Sequence, residues 1–153
     1  MIPQTVVLTD GFHTPRTPYR EQWLTHVAVL LRAWFSQRGY EIPLRIRLGV
    51  GALSNARRTL GVCHAYPDRD GFRHITISPF IDDPVLVSAT LVHELIHALL
   101  PADEIHGRRF TAAAQALGLE APWTGVTPGV ELAENLRRIV RQVGPYPHRA
   151  LAA

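Results

Sequence analysis

Apolar residues recur at helical spacing through residues 19–38, where Trp23, Val27, Leu30, Leu31, Trp34 and Phe35 share a stripe and Gly39 marks the stop. The period then shortens. Leu44, Ile46 and Leu48 alternate with Arg45 and Arg47, the pattern of a half-buried strand. A polar, glycine-containing loop (residues 49–59) follows, with Arg57-Arg58 near its end. Residues 60–66 and 74–78 read as two more strands, joined by the turn Pro67-Asp68-Arg69-Asp70-Gly71. Asp83-Pro84 supplies an N-cap and a proline at the first helical position. The helix it opens is predicted to reach about Leu100, because Pro101 cannot continue it. Its core stripe is Val85, Ala89, Val92, Leu95, Ile96 and Leu99. A shorter helix over residues 107–117, closed by Gly118, follows the loop 101–105. An amphipathic helix over residues 130–143 comes after a loop holding Trp123.

Helix, about three strands, then further helices is the order of a compact α+β domain. The 153 residues fit one domain with its own core. We divide them into an N-terminal arm (1–18, with a short strand candidate at 6–9), a globular domain (19–143) and a C-terminal tail (144–153) that is either a strap or a loose end. Hydrophobic content of 46% against 19% charged excludes wholesale disorder. A net charge of +3, with arginine as the only basic residue besides histidine, permits phosphate contact without establishing it. The single cysteine, Cys63, excludes a disulfide framework and any cysteine-based zinc finger or ribbon. The longest apolar stretch, within residues 84–92, is far short of a membrane span, and the first ten residues lack the basic start of a signal peptide. The expectation is therefore a cytoplasmic monomer, in a cell or a phage-infected host, with no membrane partner.

The chemistry concentrates in His93-Glu94-Leu95-Ile96-His97, an H-E-x-x-H pentad inside the capped helix. Positions i and i+4 share one helix face, so His93 and His97 can offer two imidazoles to one metal ion. Glu94 falls near that ion without having to bind it, which suits a general base for metal-activated water. A catalytic zinc wants three protein ligands and an open position. Asp103, Glu104, His106 and Glu120 are the nearby candidates for the third. His106 is preferred, because the break at Pro101 lets the chain fold back and imidazole suits zinc beside two others. The alternative is a capping or solvent-facing His106, with Glu104 or Glu120 completing a two-histidine, one-carboxylate site.

The pentad followed by His106-Gly107-x-x-Phe110 resembles the SprT-like zinc metalloprotease domain, whose members include bacterial SprT and the DNA–protein-crosslink protease Spartan. Leu60-Gly61-Val62-Cys63 and Ile75-Thr76-Ile77-Ser78 upstream, and the tryptophan-bearing first helix, extend the resemblance over roughly residues 19–119. It implies a zincin-like fold, zinc held by His93, His97 and His106, Glu94 as catalytic acid–base, and proteolysis of DNA-associated proteins. Two departures stand out: the loop between His97 and His106 is short, and no C-terminal zinc ribbon exists. Small phage-encoded members look closest. DNA targeting would then fall to arginines beside the cleft, and Arg57 with Arg58 are expected to give weak, sequence-independent contact. Residues 123–148 match no family motif.

The expected activity is zinc-dependent hydrolysis of peptide bonds in a protein substrate. Competing readings are a protease dedicated to one repressor or host defence protein, a non-catalytic zinc-stabilised DNA-associated module, and a peptidoglycan amidase. Intact Glu94 argues against a purely structural site, and the missing export signal against the amidase. Cys63 reads as a core residue rather than a nucleophile. His64, His74 and Tyr66 are minor candidates for oxyanion support, with structural roles favoured. Trp23 and Trp34 read as core, and Arg108-Arg109, Arg137, Arg138 and Arg141 as solvated faces.

Overall fold

The computed structural model describes residues 17–55 and 58–152. The strand candidate at 6–9 and Arg57 lie outside the described residues. Among the described residues the chain builds an α+β domain in the order α1 (Arg20–Ser36), β1 (Ile46–Val50), β2 (Gly61–Cys63), β3 (Arg73–Ile77), α2 (Pro84–Leu99), α3 (Arg108–Leu117) and α4 (Val130–Val143). The sheet order is β1-β3-β2, with β1 parallel and β2 antiparallel to the central β3.

Helix α1 buries Trp23, Leu24, Val27, Ala28, Leu31 and Phe35, while Leu30 and Trp34 of the predicted stripe, Trp34 having been expected in the core, lie at its edge and are only partly covered. Both of its tryptophans reach distant backbone. Trp23 Nε1 donates to the Gly144 carbonyl at 2.9 Å, and Trp34 Nε1 to the Leu117 carbonyl at 2.9 Å. Strand β2 is shorter than the pattern over 60–66 suggests, because only Gly61, Val62 and Cys63 pair, opposite Ile77, Thr76 and Ile75. Leu44, read from alternation as a strand residue, lies ahead of β1 and is 86% exposed.

Helix α2 starts as its sequence dictates: the Asp83 carboxylate accepts from the Leu86 N–H at 2.8 Å, with Pro84 in the first turn. The expected stripe is corrected to burial on almost every side. Residues 87–96 and Ala98 are all buried, while Val85 and Leu99 are only partly covered. The reason is position: α2 packs against β2 and β3 and against α1, α3 and α4. Its two buried hydroxyls are satisfied within the helix, Ser88 donating to the Pro84 carbonyl (2.7 Å) and Thr90 to that of Leu86 (2.8 Å). At roughly 1.5–3 kcal/mol for each fully buried large aliphatic side chain, α2 anchors the core.

Helix α3 ends at Gly118, which adopts φ 96° and would bring a Cβ to 2.9 Å from Leu132 Cβ of α4. The tail is a strap. Tyr146 stacks edge-on against Trp23 (4.9 Å, 80°), and the N–H groups of Ala150 and Leu151 bond Asp82 Oδ2 and the Pro79 carbonyl. No helix among the described residues is long and apolar enough to cross a membrane.

Candidate metal centre

One turn of α2 carries His93 and His97, and the chain breaks at Pro101 and returns so that His106, just ahead of α3, faces them. At the return, Glu104 Oε1 accepts the backbone N–H groups of Arg109 (2.7 Å) and Phe110 (3.4 Å). It thereby caps the first turn of a helix whose N-cap, Gly107, has no side chain to offer. A Cβ on Gly107 would meet that carboxylate oxygen at 2.7 Å. Phe110, fully buried, forms the floor under all three imidazoles, with ring centroids 5.0, 4.5 and 4.9 Å from His93, His97 and His106.

The three Nε2 atoms converge. His93 Nε2 lies 3.3 Å from that of His97 and 3.3 Å from that of His106, and a ligand nitrogen from each lies within 4.8 Å of the others. An ion bound tetrahedrally at metal–nitrogen distances of about 2.0–2.1 Å would have its ligands about 3.3–3.4 Å apart. The triad can therefore hold one metal ion. His93 Nδ1 sits 3.0 Å from the Gly125 carbonyl, so Nδ1–H donates there and leaves Nε2 with a free lone pair. Burial reinforces this state. It pushes the His93 pKa down to about 4, with His106 beside it adding to the fall and Gly125 opposing it. His97 falls to about 3 through burial and the neighbouring His93, His106 and Arg73. Burial also lowers His106. All three are kept as neutral imidazoles, the form that binds metal.

Glu94 lines the same cleft and is 5% exposed. Burial raises its pKa to about 7, against the lowering effect of the Cys63 N–H, which donates to it. Strand β2 approaches so closely that a Cβ on Gly61 would lie 2.8 Å from Thr90 Cγ2 and 3.0 Å from Glu94 Cγ. Gly61 is what lets the strand and the carboxylate share this space. The cleft is a cavity of about 550 Å³, with β2 on one side and residues 124–126 on the other.

Among the described residues, Asp103 and Glu120 do not join the histidines, and Glu104 is engaged in capping α3. His64, His74 and Tyr66 do not line the cleft: Tyr66 is 80% exposed, and His74 Nε2 lies 2.7 Å from Asp68 Oδ2. Cys63 is corrected from core residue to cleft wall, half-buried, its thiol pKa raised by burial against the opposing Arg73 charge. Arg58 is exposed and lines the cleft, while Arg57 lies outside the described residues.

Two contributors carry no motif. Gly125 acts through its carbonyl, inside the segment that matches nothing. Arg73, on the opposite face of β3 from His74, donates to the carbonyls of His97 and Ala98, each at 3.4 Å. Its guanidinium thus caps the negative end of α2 just behind the metal face. Only the strand alternation that separates Arg73 from His74 hinted at it. Comparison with protein-family models, with curated proteins and with solved structures gives no match for this chain.

Proposed function

We propose that this chain is a zinc-dependent endopeptidase of SprT-like type, with His93, His97 and His106 as ligands and Glu94 as general base. The observation that carries the reading is a buried carboxylate sharing an open cleft with three converged, neutral imidazoles. Imidazole-only donors, with His93 Nε2 at tetrahedral spacing from each of the other two, suit zinc among the common metals. A structural zinc site closes its fourth position, whereas a cavity of about 550 Å³ borders this one. That contrast disfavours a purely structural metal.

When bound, zinc supplies Lewis acidity to the scissile carbonyl and makes the attacking water more acidic. Glu94 takes the proton of that water as it adds to the carbonyl carbon. It then delivers the proton to the departing amine nitrogen, and the carbon–nitrogen bond breaks. Gly125 holds His93 in one tautomer throughout, and Gly61 leaves Glu94 the room to reach the cleft. Arg58 at the cleft wall supports the further reading that substrates are proteins presented on a phosphate backbone.

The test compares wild type with Glu94→Gln in cells expressing candidate substrates, reading new protein termini. Termini present only with wild type support a peptidase. Identical termini in both would remove Glu94, and with it this reading.

A further inference from the structure

Away from the metal centre, a second groove of about 560 Å³ opens between the C-terminal end of α1 and the outer face of α4, and it shares no lining residue with the first. Its walls carry Trp34, Arg38, Asn135, Arg137, Arg138 and Arg141. The arginines of α4 sit at i, i+1 and i+4, within about 6 Å along the helix axis. Arg137 and Arg141 make no hydrogen bond or ion pair among the described residues. Glu131 and Glu134 share the wall but pair with none of the arginines, so the groove keeps a net positive charge.

Two details order this basic face. First, Asn135 is 6% exposed and its Oδ1 accepts from Arg138, which holds that guanidinium at the groove wall. Second, the Arg38 guanidinium lies 3.2 Å from the centroid of the Trp34 ring and is tied down by a 3.1 Å bond to the Trp34 carbonyl. It is a pre-ordered cationic shelf, and both residues line the groove.

We propose that this groove binds a nucleotide unit, its phosphate held by Arg137, Arg138 and Arg141, and its base stacked on the Arg38–Trp34 shelf. Guanidinium forks match phosphate oxygens, and a planar guanidinium is a common platform for an unpaired base. The groove is far larger than a lone ion needs. Free nucleotide and single-stranded nucleic acid offer the same chemistry, and the experiment separates them. The site is independent of the peptidase reading and of Arg58.

The experiment titrates the full chain with inorganic phosphate, 5′-AMP and a labelled single strand of about twelve thymidines, at roughly 50 and 200 mM salt. AMP should bind about tenfold or more tightly than phosphate, because stacking adds to the phosphate contacts. Arg137→Ala/Arg141→Ala, which changes only exposed side chains, should weaken AMP and the strand by about tenfold or more and flatten the salt dependence. A strand more than about tenfold tighter than AMP identifies nucleic acid as the occupant, and near-equal affinity identifies free nucleotide; both outcomes uphold the site. Phosphate binding as tightly as AMP, no binding of any probe at about 1 mM, or AMP affinity unchanged in the double variant would overturn it.

Discussion

At the candidate metal centre His93 and Glu94 are each 5% exposed, and burial is the leading cause of every shift there, lowering the three imidazoles and raising the carboxyl to about 7. In the turn between β2 and β3 a carboxylate beside a histidine shifts the other way. His74 lies 2.7 Å from Asp68, with Arg47 at 3.4 Å, and the side chains of that histidine and aspartate are 43% and 29% exposed. The hydrogen bond from His74, helped by the Phe72 and Asp70 N–H groups, holds the Asp68 carboxyl well below the usual carboxylate range. Histidine beside carboxylate is thus not one motif. Desolvation disfavours charge and leaves neutral imidazoles and a raised carboxyl, while partial solvation with three donors favours the charged Asp68 carboxylate that fastens a turn.

Removing the buried carboxylate should have the largest effect. Glu94→Gln keeps the shape but cannot accept a proton, so peptide hydrolysis should fall by about 100- to 10,000-fold, mainly in kcat, with metal content unchanged. Full activity in that variant, followed with any substrate found by terminal sequencing, would make the two clusters equivalent after all. Next comes His106→Ala. If the triad binds metal only when folded, the variant should melt near the temperature of chelator-treated wild type, several degrees below the loaded protein. Equal melting of loaded and chelated wild type would contradict this.

The comparison sharpens further at Gly61. An added methyl in Gly61→Ala meets Thr90 and Glu94 at 2.8 and 3.0 Å, so overpacking should cost about 1–3 kcal/mol in denaturant melts and lower kcat. The smallest effect belongs to the surface pair. A depressed carboxyl pKa gives stability that is present above the unfolded aspartate's value, about 3.9, and lost as pH falls through the folded one. Asp68→Asn should therefore flatten the acid limb of the melting-temperature profile while leaving activity near neutral pH unchanged. A large loss of activity would mean that this turn reaches the cleft.

How much of this was legible follows from where the information sits in the chain. The pentad is readable because helical geometry alone puts His93 and His97 on one face, and the cap at Asp83-Pro84 fixes which helix carries it. Helix α4 coincides with its predicted bounds, 130–143, since its amphipathic pattern and the flanking Gly129 and Gly144 agree. Strand β2 was overextended because pairing with β3, which the local pattern does not encode, stops at Cys63. The buried circumference of α2 was hidden because its stripe says which face is apolar, not how many neighbours crowd the others. Gly125 was invisible for another reason: a backbone carbonyl has no residue signature, and its reach to His93 depends on a loop 32 positions away.

The central claim is that three imidazoles, and no carboxylate, hold one zinc ion beside Glu94. Elemental analysis of the 153-residue chain purified without added metal tests it most directly, run on wild type, His106→Ala and Glu104→Ala in parallel. The account predicts close to one equivalent of zinc in wild type, its loss in His106→Ala, and its retention in Glu104→Ala, where only the cap of α3 is weakened. Metal-free wild type, or zinc stripped by Glu104→Ala but kept by His106→Ala, would contradict it.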